Sequence, residues 1–203
     1  MALKNRIIRV TIFAATAIVA ACASAPPSTI IRTAYDPDPG MEGFRNVLVV
    51  GTAGTYQSRA QFERALVAGL SSDRISIAPY FTVLGRNPQL TRTNLDNAIR
   101  SRGLDAVIFT RLKGQEKEEL APLRPVGANF DLFGYDYEEL NRDLALQQSQ
   151  AITFVTEIYS TASRRKIWAI ESLSFNKETA AELVNEQAAM IAAQIKKDKL
   201  LAR

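Results

Sequence analysis

Hydrophobic positions change their spacing several times along the chain, and each change marks a predicted element. Residues 46–51 (NVLVVG) form an unbroken apolar run closed by glycine, the pattern of a strand covered on both faces. Downstream, Phe62, Ala65, Leu66, Gly69 and Leu70 recur at three-and-four spacing, which predicts a helix over about 59–71, with Ser58 and Gln61 at the spacing of a capping box. Residues 75–84 hold two short apolar stretches around Pro79-Tyr80 and predict one strand interrupted or ended by the proline. A second helix is expected from near Thr93, with Leu95, Ala98 and Ile99 on its apolar side and Gly103 as its stop. Ala106-Val107-Ile108-Phe109 predicts the next buried strand.

After a long aperiodic stretch the pattern turns β-like. Residues 151–161 and 166–175 are rich in Ile, Phe, Val, Thr, Tyr and Trp, and predict an antiparallel hairpin around Ala162-Ser163-Arg164-Arg165. A closing helix over about 178–197 carries Leu183, Val184, Ala188, Ile191 and Ile195 on one face, acids at its start and lysines at its end. The fold class that follows is α/β, a single domain over residues 46–203. Its mixed sheet has about five strands: strand, helix, strand, helix, strand, then the hairpin and the last helix.

The first residues follow a different logic. Lys4, Arg6 and Arg9 precede an apolar stretch from Val10 to Ala21 broken by Thr11 and Thr16. Roughly a dozen residues are too few for a membrane-spanning helix, which needs about 20, so residues 1–21 read as a cleaved export signal. Val19-Ala20-Ala21-Cys22 resembles the lipobox of bacterial lipoproteins: an aliphatic residue, two small residues, and the cysteine that takes the lipid. Lipidation also accounts for a lone cysteine in an exported chain. Ala23 and Ser24 behind Cys22 resemble the pattern sorted to the outer membrane, which implies a lipid-anchored, periplasm-facing domain. Residues 22–45, with Pro26-Pro27 and Asp36-Pro37-Asp38-Pro39-Gly40, then read as the lipidated cysteine and a flexible tether reaching roughly 25 Å.

Composition narrows the chemistry. The formal charge is +4, but Lys4, Arg6 and Arg9 leave with the signal, so the mature chain is near neutral and no nucleic-acid partner is expected. The chain has no histidine and one cysteine. That composition removes Ser-His-Asp and Cys-His catalysis and the imidazole or thiolate metal sites; no cofactor or metal is expected, and no enzyme. Gly51-Thr52-Ala53-Gly54-Thr55 occupies the strand-to-helix position where phosphates bind, but lacks the P-loop and dinucleotide spacings and reads as an ordinary turn. Arg164-Arg165-Lys166 reads as a charged hairpin tip that could also touch anionic lipid, and Trp168 as core. Glu116, Glu118 and Glu119 read as a solvated run.

The long loop, 114–147, places Phe130, Phe133, Tyr135 and Tyr137 among acids. These aromatics either tuck onto the core and a sheet edge or form a partner-binding surface of the kind protein interfaces favour. They are the residues assigned to a partner.

From residue 46 to about 201 the order of elements resembles a group of periplasmic α/β lipoprotein domains. The group includes uncharacterised lipoproteins, the penicillin-binding-protein activators and the curli-secretion lipoprotein. The resemblance rests on Arg59-x-x-Phe62-Glu63-x-x-Leu66-x-x-Gly69-Leu70, on Leu104-Asp105-Ala106-Val107-Ile108, and on Thr156-Glu157-Ile158-Tyr159 with Lys166-Ile167-Trp168. These are mostly packing positions; the resemblance implies a fold and carries no catalytic residue across. The expected role is a non-enzymatic module that binds another envelope protein in envelope assembly or maintenance. A lipid or small-molecule carrier and a carboxylate-based hydrolase are the rivals.

Overall fold

A computed structural model describes residues 26–52, 54–85, 89–113, 151–175 and 177–202. Among them, six strands form one mixed sheet and four helices pack on it. In chain order these are β1 Thr29–Tyr35, β2 Asn46–Gly51, α1 Tyr56–Leu70, β3 Ser76–Pro79, α2 Tyr80–Leu84, α3 Arg92–Arg102, β4 Ala106–Lys113, β5 Ala151–Ser160, β6 Arg165–Phe175 and, as α4 here, Ala180–Lys197. The α/β class is as the periodicity indicates, with one strand more than the expected five.

Sheet order is β1-β6-β5-β4-β2-β3. β2 runs parallel to β3 and β4, whereas β4-β5, β5-β6 and β6-β1 are antiparallel. The unbroken apolar run of β2 is explained by its central place: Val47 and Val49 face one core, Leu48 and Val50 the other. On the first face α1 and α4 lie side by side, bringing Phe62, Leu66 and Leu70 against Val184, Ala188, Ile191 and Ile195. On the second, Leu95 and Ala98 of α3 pack with Tyr80, Val107 and Phe109. The two crossovers therefore cover opposite faces of the sheet.

Local chemistry sets the boundaries. Thr55, not Ser58, caps α1; its side-chain oxygen accepts from the Ser58 N–H, so the helix starts three residues earlier than its apolar spacing suggests. Thr91 caps α3, and Gly103, at φ 58°, ends it in the left-handed conformation that glycine adopts without strain. At the β4 entrance, Asp105 accepts from the Arg45 and Asn46 N–H groups at 2.7 and 3.0 Å and so locks the start of β2 to that of β4.

Pro79, which has no N–H to donate, ends β3, one of the two outcomes expected for residues 75–84, and residues 80–84 turn into the short helix α2. One expectation requires correction. The stretch read as a tether contains β1, antiparallel to β6 from Thr29↔Leu173 to Tyr35↔Trp168. An irregularity between Ile30 and Arg32 breaks its alternation, and short polar-apolar mixtures flanked by prolines show no period. The β5-β6 hairpin has its own irregularity near Ile158, and both Ile167 and Trp168 reach the same core. Trp168 is fully buried, its indole N–H donating to Asp198 at 2.8 Å.

Candidate functional site

The carboxyl ends of the parallel strands are where open α/β sheets place their clefts, and one lies there between β2, α1 and α2. Thr52, Tyr56, Arg59, Glu63, Tyr80, Phe81 and Leu90 are among its walls. Glu63 stands two turns into α1 and is 2% exposed. One carboxylate oxygen accepts from the Gly51 N–H at 2.9 Å, the other from the Phe81 N–H at 3.1 Å. A single side chain thus ties the end of β2 to the start of α2. Burial pushes its pKa up to about 7, against the pull of the Gly51, Phe81 and Tyr80 N–H groups and the Arg59 charge. Arg59 itself reaches back, Nε donating to the Gly54 carbonyl at 3.0 Å, and Arg64 stacks over Phe81 at 4.7 Å. The partly open space between these described walls is about 20 Å³, room for a water. Gly51 marks this corner of the 51–55 turn, since a Cβ there would meet Phe62 Cδ1 at 3.0 Å.

A second polar constellation lies on the antiparallel half of the sheet. Register puts Phe109, Glu157 and Ala169 in one row, and Arg111, Val155, Glu171 and Arg32 in the next, all on the α3 side. Lys166 Nζ donates to Glu157 at 3.0 Å, and the Tyr159 hydroxyl donates to the same carboxylate at 3.0 Å. Lys113 pairs with Glu171, which Arg32 approaches at 3.9 Å from the edge strand. Glu157, Lys166 and Glu171 are buried. Buried charges of this sort hold only while paired, which makes the rows a means of fixing strand register. On the opposite face Ser172 and Ser174 bond to Gln187 of α4, and Ser174 also meets Ser28 at 2.6 Å.

These charges escaped sequence reading. Glu157, Lys166 and Glu171 stand at ordinary strand positions, and only their alternation with Val155, Tyr159 and Ala169 could have flagged them. Of Arg164-Arg165-Lys166, Arg164 alone is exposed at the turn. Arg165 pairs with Asp36 at 2.7 Å and Asp38 at 3.3 Å, and Lys166 is inside, so the tip is much less basic than its sequence. Cys22, Phe130, Phe133, Tyr135, Tyr137 and the run Glu116, Glu118 and Glu119 lie outside the described residues. From Pro26 onward the chain is described: Lys177 donates to the Pro26 carbonyl at 3.0 Å, and the Ser28 N–H to Glu186 at 2.5 Å. Lys177 also pairs with Glu186 at 2.7 Å, which helps hold the Glu186 carboxyl below its usual range.

Among the described residues, no cluster of three or more acidic, cysteine or histidine side chains could hold a metal ion, and no helix is long and apolar enough to cross a membrane. No family model matches the chain, and no curated protein does. Solved structures similar to it include the PelC dodecamer from Paraburkholderia phytofirmans, at a TM-score of 0.44 and 13% identity over 87% of this chain and 99% of that one. A point variant of that PelC in a second crystal form gives 0.44 and 10%, over 86% and 99%. Neither carries a residue or a role across to this chain.

Proposed function

We propose that the chain is an outer-membrane lipoprotein, acylated at Cys22 and facing the periplasm. Its α/β domain acts without catalysis as a protein-interaction module in assembly or maintenance of the cell envelope. The observation that carries this reading is β1. Residues 29–35, seven positions past the cysteine of the lipobox, are built into the sheet, and Ser28 is pinned to α4, which supports a domain kept close to the surface its lipid enters. The cleft at Glu63 favours neither rival. As bounded by the described residues it is too small for a lipid, and Glu63, the carboxylate among them, accepts backbone N–H bonds on both oxygens.

The partner surface is assigned to Phe130, Phe133, Tyr135 and Tyr137, whose rings would bury large area at low entropic cost. Replacing Cys22 by serine abolishes incorporation of labelled palmitate and moves the protein from the membrane to the soluble fraction; persistent label and membrane retention would refute the anchor. A photoreactive residue at Tyr135 captures one dominant envelope protein in living cells. Alanine at Phe130, Phe133 and Tyr137, with the photoreactive residue kept at position 135, removes that capture while the unfolding midpoint stays in place. Undiminished capture would refute the assigned surface.

A further inference from the structure

We infer that the end of the domain bearing the carboxyl ends of β2, β3 and β4 is held against the lipid surface, with the β5-β6 turn pointing away from it. The inference rests on Cys22 being the acylated residue and adds the orientation that acylation alone leaves open.

The argument starts from length. A chain spans at most about 3.6 Å per residue. Pro26, held by Lys177, is four residues from Cys22, a reach of at most about 14 Å. Ser28, held by Glu186 and Ser174, is six residues away, at most about 22 Å. The leash is thus comparable to the height of the sheet. From Lys113 to Ala106 is seven steps of β4, roughly 23 Å at the usual rise.

The direction of β1 then decides which end is near. β1 runs antiparallel to β6, β6 to β5 and β5 to β4, and β4 runs with β2 and β3. Thr29 stands level with Leu173, Thr153 and Lys113 in the register. The first residue of β1 therefore sits at the end where β2, β3 and β4 finish. Helices α1, α3 and α4 each start at that end, because each carries the chain back from it to the next strand or to the C-terminus. Their positive dipole ends point the same way; the first turns of α1 and α3 carry no acidic residue, whereas that of α4 carries Glu182, so the leash and not charge sets the orientation. The opposite end holds the β5-β6 turn at 161–164, the turn after α1 at Ser71 to Arg74, and the C-terminal bridge of Leu201 to Phe44. The short leash cannot carry it around to the membrane while β1 stays paired.

The sole cysteine is consumed by the lipid in this reading, so one introduced cysteine gives a unique label. Full-length, membrane-extracted protein is prepared as Gln57→Cys, Glu178→Cys, Asp73→Cys and Ala162→Cys, all at exposed positions. Each is labelled with a fluorophore and reconstituted into phosphatidylethanolamine and phosphatidylglycerol vesicles containing headgroup spin-labelled lipid. Quenching is expected to be several-fold stronger at positions 57 and 178 than at 73 and 162. Inserting ten Gly/Ser residues after Ala25 should bring all four to a common low level. Equal or inverted quenching in protein whose Cys22 carries lipid by mass spectrometry overturns the orientation and leaves the anchor standing. A free Cys22 thiol overturns the anchor, and the orientation with it.

Discussion

Glu63 carries a pH dependence whose sign follows from its surroundings. Its pKa in the fold, about 7, lies above the ordinary value of 4.5, so between those values the folded chain holds a proton that the unfolded chain has released. The stability this supplies is fully present below about pH 4.5 and is lost as pH rises through 7. Two and a half units correspond to about 3 kcal/mol. Urea unfolding at pH 5 and pH 7.5 should show a fall of that order in the native protein and a much smaller one in Glu63→Gln; parallel pH profiles for the two would refute the assignment. The surrounding charged and polar groups, Arg59, Tyr56, Arg64 and Tyr80, bear no carboxylate that could mimic the effect. Little of this could be read from sequence. Glu63 sits between Phe62 and Leu66 in an otherwise regular apolar helix face, and the pattern hints that it is buried. Its partners are backbone groups of Gly51 and Phe81, which a sequence does not show to be near. The same holds for Trp168: its hydrophobic context pointed correctly to the core, and its bond to Asp198 emerged only with the fold.

Among the elements, those with one clean period were legible. β2, β4, α3, α4 and the β5-β6 hairpin match their expected positions to within a few residues because each has a strong apolar face and a chemical stop such as Gly51 or Gly103. β1 and α2 were hidden for physical reasons. β1 is an edge strand with a register irregularity and exposed Ile31 and Tyr35, so alternation cannot reveal it. α2 begins immediately after the proline that ends β3, and its aromatic and β-branched residues favour strand by intrinsic preference. The hairpin offers a test at this scale. Lys166→Met removes one of the donors to the buried Glu157 carboxylate, and should destabilise the domain by about 1 to 3 kcal/mol. Adding Glu157→Gln, which can still accept from Tyr159, should restore most of that loss in denaturant titrations. A double variant no more stable than the single one would show that the pair is not the cause.

At the scale of the whole molecule, β1 joins the beginning of the described chain to its last hairpin, and the sheet depends on that closure. A protein starting at Pro26 should unfold at the same urea midpoint as one starting at Cys22. A protein starting at Asp36 should lose several kcal/mol, since it removes the β1-β6 ladder and leaves Glu171 without Arg32. Equal midpoints for all three would make β1 an ornament of the sheet. The position of β1 has a mechanical consequence too. If Cys22 is acylated as proposed, the amino end of β1 points toward the anchor, along the strand. A pull between membrane and domain therefore loads the β1-β6 hydrogen bonds together in shear, instead of opening them one by one like a zipper. On the proposed anchoring, seven residues of ordinary edge strand become the clasp that decides how much force the domain withstands before its leash lengthens.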